Sequence, residues 1–236
     1  MITLRSLIFN LLMWTMVVPY ALLALLLIPM SAPKRSHIVA GWARFVVRWL
    51  ALACGLKYRV IGAENIPAHP CVILAKHQSA WETIAFQAIF PPQIWVLKRS
   101  LLLIPFFGWA LWALKSIAID RSAGREALKQ LVSQGKDRLA IGLSVVVFPE
   151  GTRVSPGHKG KYHIGGAWLA THTGATVLPV AHNAGEYWRK NSLLKYPGTI
   201  TVSIGKPIEA AGMKADVLNH QVEAWIEAEM ARLDTL

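Results

Sequence analysis

The sequence predicts an α/β fold, a mixed sheet flanked by helices, preceded by an N-terminal membrane-embedded helical segment. From Lys57 onward short apolar runs alternate with stretches of helical period, the pattern of an α/β domain. Before that point, residues 6–33 carry no charged side chain. Composition agrees: of 236 residues 54% are hydrophobic and only 16% charged, and ten are tryptophan. Such a length suits one catalytic unit with an appendage, so the chain divides into a membrane-anchoring segment, 1–56, and a catalytic domain, 57–236.

The elements follow in order. The run from Leu7 to Met30 is apolar apart from Asn10 and Thr15, and as a helix it would extend about 36 Å, enough to cross a bilayer. Pro19 lies inside it, so a kinked span and a re-entrant hairpin dipping into one leaflet are both open. A cleaved signal peptide fits less well, because the run is long and no small-x-small site precedes Lys34. Ser36 to Leu56 reads as a second helix with a broad apolar surface and Arg44 and Arg48 one turn apart, suited to the membrane interface. Strands are expected near 57–61, 71–75, 94–98, 116–119, 144–148, 176–181 and 199–204, and helices near 80–90, 105–114, 122–141, 161–173 and 216–234.

Charge is distributed unevenly. The net charge is +12, and residues 1–63 hold seven cations, Arg5 to Arg59, before the first acid, Glu64. These cations flank apolar runs, which suits anionic membrane lipids; no basic helix or aromatic-studded groove points to nucleic acid. Cys54 and Cys71 sit in apolar surroundings without metal-ligand spacing and read as buried free thiols. His158, His163, His172 and His182 fit no common zinc spacing, and no metal is expected.

Four stretches carry polar groups with a chemical use. In "AKHQSAWETIAF", His77 and Glu82 are the lone titratable pair after Lys76, and Ser79 to Glu82 also spells the S-x-x-E capping box of a helix start. Glu82 is therefore either a helix cap or the partner of a basic imidazole. In "SVVVFPEGTR", an apolar strand runs into Pro149, Glu150, Gly151, Thr152 and Arg153, at the carboxyl end where α/β sheets bind ligands; a solvated surface turn is the plainer alternative. "LKRSLLLIPFFGWAL" follows the cations Lys98 and Arg99 with an apolar run, a pairing suited to a phosphate and an acyl chain or to a basic surface above a core helix. "VLPVAHNAG" supplies a strand ending at Pro179, and by itself only a strand.

In order and spacing these stretches resemble the glycerolipid acyltransferase family, whose blocks correspond to His77–Glu82, Lys98–Gly108, Phe148–Arg153 and Val177–Val180. Glu82 stands where the family has aspartate, and His163 stands where a further family lysine is usual. The resemblance implies catalysis by His77 with Glu82, and substrate binding by Lys98, Arg99, Glu150, Gly151, Thr152 and Arg153. It implies a lysophospholipid acceptor, an acyl-CoA or acyl carrier protein donor, and no cofactor. Lys34, Arg35, Arg44 and Arg48 outweigh Arg5 across the apolar run, and thioester donors are cytoplasmic, so the chain is expected at the cytoplasmic membrane with the domain from Lys57 onward on the cytoplasmic side. Glycerol 3-phosphate or lyso-ornithine lipid as acceptor, and a non-catalytic lipid-binding role, are the competing expectations. Backbone amides near Ser79 are candidate oxyanion donors, and Ser79 itself a lesser candidate nucleophile.

Overall fold

The structure is a computed structural model, and it describes residues 1–90, 92–120 and 123–233. Two long helices come first, α1 (Ile2–Leu26) and α2 (Ala32–Cys54), both long and apolar enough to cross a membrane. α1 runs through Pro19 without a break, the freed position lying in a helix that packs against its neighbours. α2 starts four residues before the expected Ser36, because Pro33 occupies its first turn, where a missing amide costs nothing. It ends at Gly55, whose φ of 69° is the left-handed conformation that stops a helix.

A seven-stranded sheet follows, in the spatial order β1, β7, β6, β2, β5, β3, β4. Its strands are β1 (Leu56–Ile61), β2 (Val72–Ala75), β3 (Gln93–Lys98), β4 (Ile117–Ile119), β5 (Ser144–Val147), β6 (Val177–His182) and β7 (Gly198–Ile204). Every pairing is parallel except β6 with β7, so the sheet is mixed, as expected. The helices between strands are α3 (Trp81–Ile89), α4 (Phe107–Ala113), α5 (Arg125–Ala140), α6 (Gly165–Thr173) and the single turn α7 (Ala184–Tyr187), which sequence periodicity did not suggest; α8 (Ala215–Leu233) closes the described chain. The central strands β2, β5 and β6 are buried along their whole length, which is why they read as unbroken apolar runs.

Alternate residues of the strands feed two cores. On one face Ile73, Trp95, Val146 and Leu178 pack against α2 and α3; on the other Val72, Ile94, Val145 and Val177 pack against α5, α6 and α8. Ala43, Val46, Leu50 and Cys54 of α2, with Phe9 and Met13 of α1, belong to the first core. α2 is thus a covering layer of the sheet, and α1 lies over it. Both ends of this hairpin are tied down. Arg5 Nε donates to Ala53 O at 2.6 Å, and Lys195 Nζ donates to Asn10 Oδ1 at 2.6 Å. At the far end the buried Arg35 guanidinium donates to the carbonyls of Leu27, Ile28 and Met30, just past the end of α1. There Ala24, Leu25 and Leu27 meet Val39 of α2 and Ala110, Ala113 and Leu114 around α4.

Candidate active site

The site is built at the carboxyl edge of two neighbouring strands. β2 and β5 run parallel with Leu74 opposite Val147, so the chain leaves them side by side as Lys76–His77 and Phe148–Pro149. Two hydrogen bonds to the His77 main chain hold these exits together: Val154 N donates to His77 O at 2.7 Å, and His77 N donates to the Glu150 side-chain oxygen Oε2 at 3.0 Å. The Phe148 ring stacks on the His77 imidazole with centroids 4.1 Å apart and planes 13° apart. Gly151 bends the intervening turn with a φ of 67°, a conformation that favours glycine, and its amide donates to Phe148 O at 3.0 Å.

His77 Nδ1 donates to Glu82 Oε1 at 2.8 Å. The same oxygen accepts the amides of Gln78 at 2.8 Å and Ser79 at 2.7 Å. Glu82 therefore caps the start of α3 and orients the imidazole with one atom. Ser79 supplies the other half of a cap, its Oγ accepting Trp81 N at 3.1 Å. Those bonds occupy the amides of Gln78, Ser79 and Trp81, so none of the three is available to an oxyanion. The Ser79 hydroxyl is itself wholly buried and bonded, which disfavours it as a nucleophile. Glu82 is fully buried whereas the His77 side chain keeps 12% of its surface in solvent, so the ring faces outward and the carboxylate behind it does not.

Electrostatics reinforce the pair. Burial pushes the Glu82 carboxyl up, but nearby His182, the His77 bond and the Ser79 amide outweigh it and hold the group below its ordinary value. His182, at the end of β6, is buried with Nε2 donating to Lys76 O at 2.9 Å and Nδ1 accepting Ala184 N at 3.3 Å. Burial drives its imidazole below the ordinary value against the pull of Glu82, whose Oε2 lies 4.0 Å away. His182 thus walls the far side of the dyad. Cys54 and Cys71 are free and buried, and burial pushes the Cys71 thiol up to about 11, an unreactive state.

The cations lie along the same edge. Arg153 follows β5, while Lys98 ends β3, the next strand over, and Arg99 starts a 3-10 turn, Arg99–Leu103. Lys98 and Arg99 are exposed, Arg153 is half-buried, and none of the three joins an ion pair among the described residues. Gly108, which closes the third stretch, allows the turn to fold back: a Cβ there would strike the Leu102 carbonyl. Thr152 is exposed beside Arg153. Glu150 is placed differently from its neighbours, with its carboxylate wholly buried, bonded to the His77 amide and paired with Lys76 at 2.9 Å. Its contact with the site runs through the His77 main chain. Lys76 was not singled out by sequence reasoning, and His182 was weighed only as a zinc ligand, since an isolated lysine or histidine at a strand end carries no periodic signal.

A base oriented by a buried carboxylate, beside unpaired cations, suits proton abstraction from a hydroxyl near an anionic group. Residues 57–183 match the family model described as Acyltransferase, a span that contains His77–Glu82, Lys98–Gly108, Phe148–Arg153 and Val177–Val180. The chain belongs to the acyltransferase family. This acyltransferase is 48% identical over 213 residues to the 1-acyl-sn-glycerol-3-phosphate acyltransferase of Pseudomonas aeruginosa, an alignment covering 89% of the chain and 82% of that protein. It is 30% identical over 210 residues to the enzyme of the same name from Saccharomyces cerevisiae, covering 80% of the chain and 64% of the relative. In fold it resembles the crystal structure of the 1-acyl-sn-glycerophosphate (LPA) acyltransferase PlsC from Thermotoga maritima, with a TM-score of 0.81 at 24% identity over 99% of this chain and 96% of that one.

Proposed function

We propose that the enzyme acylates the free hydroxyl of 1-acyl-glycerol 3-phosphate, using acyl-CoA or acyl carrier protein and giving phosphatidic acid in phospholipid synthesis. The carrying observation is the His77–Glu82 bond with its ring side open and its carboxylate buried. With Nδ1 committed to Glu82, Nε2 takes the proton of the acceptor hydroxyl as the oxygen attacks the thioester carbonyl. The tetrahedral intermediate then collapses, the carbon–sulfur bond breaks, and the imidazolium returns the proton to the leaving thiolate. Glu82 stabilises the imidazolium as the carboxylate of a hydrolytic triad does, and the acceptor's hydroxyl stands in place of the serine. Arg153, Lys98 and Arg99 hold the acceptor phosphate, with Gly151 and Thr152 shaping the turn beneath it.

The names of the relatives support this acceptor, and the unpaired cations support a phosphate on it. The test is an assay of purified enzyme with labelled acyl donors against lysophosphatidic acid, glycerol 3-phosphate and lyso-ornithine lipid. Product from lysophosphatidic acid, abolished by His77→Ala and strongly reduced by Arg153→Ala, is expected. Lipid binding without any product would defeat the enzymatic reading, and equal use of a phosphate-free acceptor would defeat the acceptor. The enzyme sits on the cytoplasmic membrane with its catalytic domain on the cytoplasmic side, where thioester donors are found. The α1–α2 hairpin lies in the near leaflet beside anionic lipids, a placement supported by its packing along the domain at both ends.

A further inference from the structure

His77 and Lys76 are consecutive at the end of β2, so their side chains leave the sheet on opposite faces. His77 faces α3, and Lys76 enters the layer behind. There its ammonium, 1% exposed, is 2.9 Å from Glu150 Oε1 and 2.9 Å from Glu227 Oε1 on α8, and 3.3 Å from His158 O. Tyr162 OH donates to the same Glu227 oxygen at 2.7 Å, and Gly160 N donates to Glu150 Oε1 at 3.2 Å. Burial, then the Glu227 carboxylate, holds the Tyr162 phenol above its ordinary range, so it stays a donor. The ammonium thus donates to Glu227 and to the His158 carbonyl and forms an ion pair with Glu150.

Such a chain is expensive as a mere packing device. Desolvating buried ions costs several kcal/mol each, and an apolar side chain at 76 would fill the space without that penalty. What an apolar residue cannot supply is a direction for Glu150, whose other oxygen, Oε2, accepts the amide of His77. Glu150 is held at Oε1 by Lys76 and Gly160 and aims Oε2 at His77 N; Lys76 is held in turn by Glu227, anchored on a 19-residue helix. We infer that Lys76 and Glu227 are positioning residues for acyl transfer, fixing the main chain of His77 from behind the sheet through Glu150. This rests on His77 being the base. The imidazole is thereby restrained at two points, by Glu82 through its ring and by Glu150 through its amide.

The experiment uses the full-length enzyme in detergent, with kcat and KM for lysophosphatidic acid expressed per folded protein and melting temperature followed in parallel. Glu227→Gln keeps the shape and loses the charge that anchors Lys76. A fall in kcat of about tenfold, with KM nearly unchanged, is expected, since small displacements of a reacting group are costly. Lys76→Met is expected to lose about a hundredfold, and Lys76→Arg, which keeps a cation, to recover part of it. Adding Glu227→Gln to Lys76→Met should cost little more, because both changes cut the same chain. A purely structural role would lower the folded fraction and leave kcat of the folded enzyme intact. Unchanged kcat in Glu227→Gln overturns the inference even if Lys76→Met fails to fold, as does a loss confined to KM. His77→Ala separates the two readings: activity surviving there defeats the proposed base, whereas dead His77→Ala with normal Glu227→Gln defeats only the positioning role.

Discussion

At Glu82 one carboxylate oxygen collects three donors, the His77 ring and the amides of Gln78 and Ser79. Capping and orientation are therefore not alternatives, and a change that keeps the shape but removes the charge separates their sizes. Glu82→Gln retains an oxygen for the two amides, so the melting temperature should move little, while kcat falls by about 10²–10⁴-fold because the imidazolium loses its counter-charge. Glu82→Asp keeps the charge on a shorter arm and should recover part of the activity; full turnover in Glu82→Gln would refute the partnership. Behind this pair, His182 gives the fold an acid-sensitive point. Its folded value is depressed below the ordinary 6.5, so the unfolded chain takes up its proton first, and the stability it supports is complete above 6.5 and lost as pH falls. Glu82, depressed from 4.5, adds to the loss at lower pH with the same sign. Melting temperatures followed from pH 7.5 to 5 should drop in the native enzyme and drop less in His182→Gln; parallel slopes would discount His182.

Among the elements, the N-terminal half of α1 is held in part by one residue from a distant loop. Lys195 is 2% exposed, its ammonium 4.2 Å from the Trp188 ring and 5.2 Å from Phe9, bonded to Asn10 Oδ1 and Leu193 O, and without a carboxylate partner among the described residues. Burial lowers its value to about 8 from 10.5. Between those two values the unfolded chain holds the proton that the folded one has lost, so stability should rise with pH across that window. Lys195→Met should flatten the rise in thermal melts between pH 8 and 10; an unaltered slope would assign it elsewhere. None of this was legible in "SLLKYPG", where a lysine among leucines reads as surface. The strands were legible, because unbroken apolar runs such as Ser144–Val147 mark buried parallel strands wherever they occur. The Phe148–Arg153 turn and the His77–Glu82 spacing were legible for a different reason, being local patterns tied to chemistry. Pairing was not: that β7 lies between β1 and β6, antiparallel to β6, depends on contacts between residues far apart in sequence. The network of Lys76 with Glu227, 151 positions apart, was hidden for the same reason.

For the whole molecule the open question is how the hairpin meets the bilayer. At 25 residues α1 would extend about 37 Å, more than the roughly 30 Å of hydrocarbon, so length alone permits a span. Its attachments argue otherwise. The N-terminal end is held at Ala53 and Lys195, the C-terminal end packs on Ala113 and Leu114, and Pro33 at the start of α2 approaches Gly142 before β5. If α1 crossed the bilayer, the sheet and its polar loops would lie at membrane depth with it, where unpaired backbone groups are not tolerated. A hairpin lying along one leaflet exposes Leu4, Leu7, Leu11 and Trp14 of α1, with Leu103, Trp109 and Trp112 alongside, to lipid while the domain remains in water. Single cysteines decide between these arrangements, because the native Cys54 and Cys71 are buried and leave little background. Thr3→Cys, Ser31→Cys and Lys206→Cys, at exposed positions near each end of α1 and on the catalytic domain, are treated with a membrane-impermeant maleimide in sealed vesicles of both orientations. All three should react from the cytoplasmic face alone. Labelling of Thr3→Cys and Ser31→Cys from opposite faces would establish a span and overturn the one-leaflet placement.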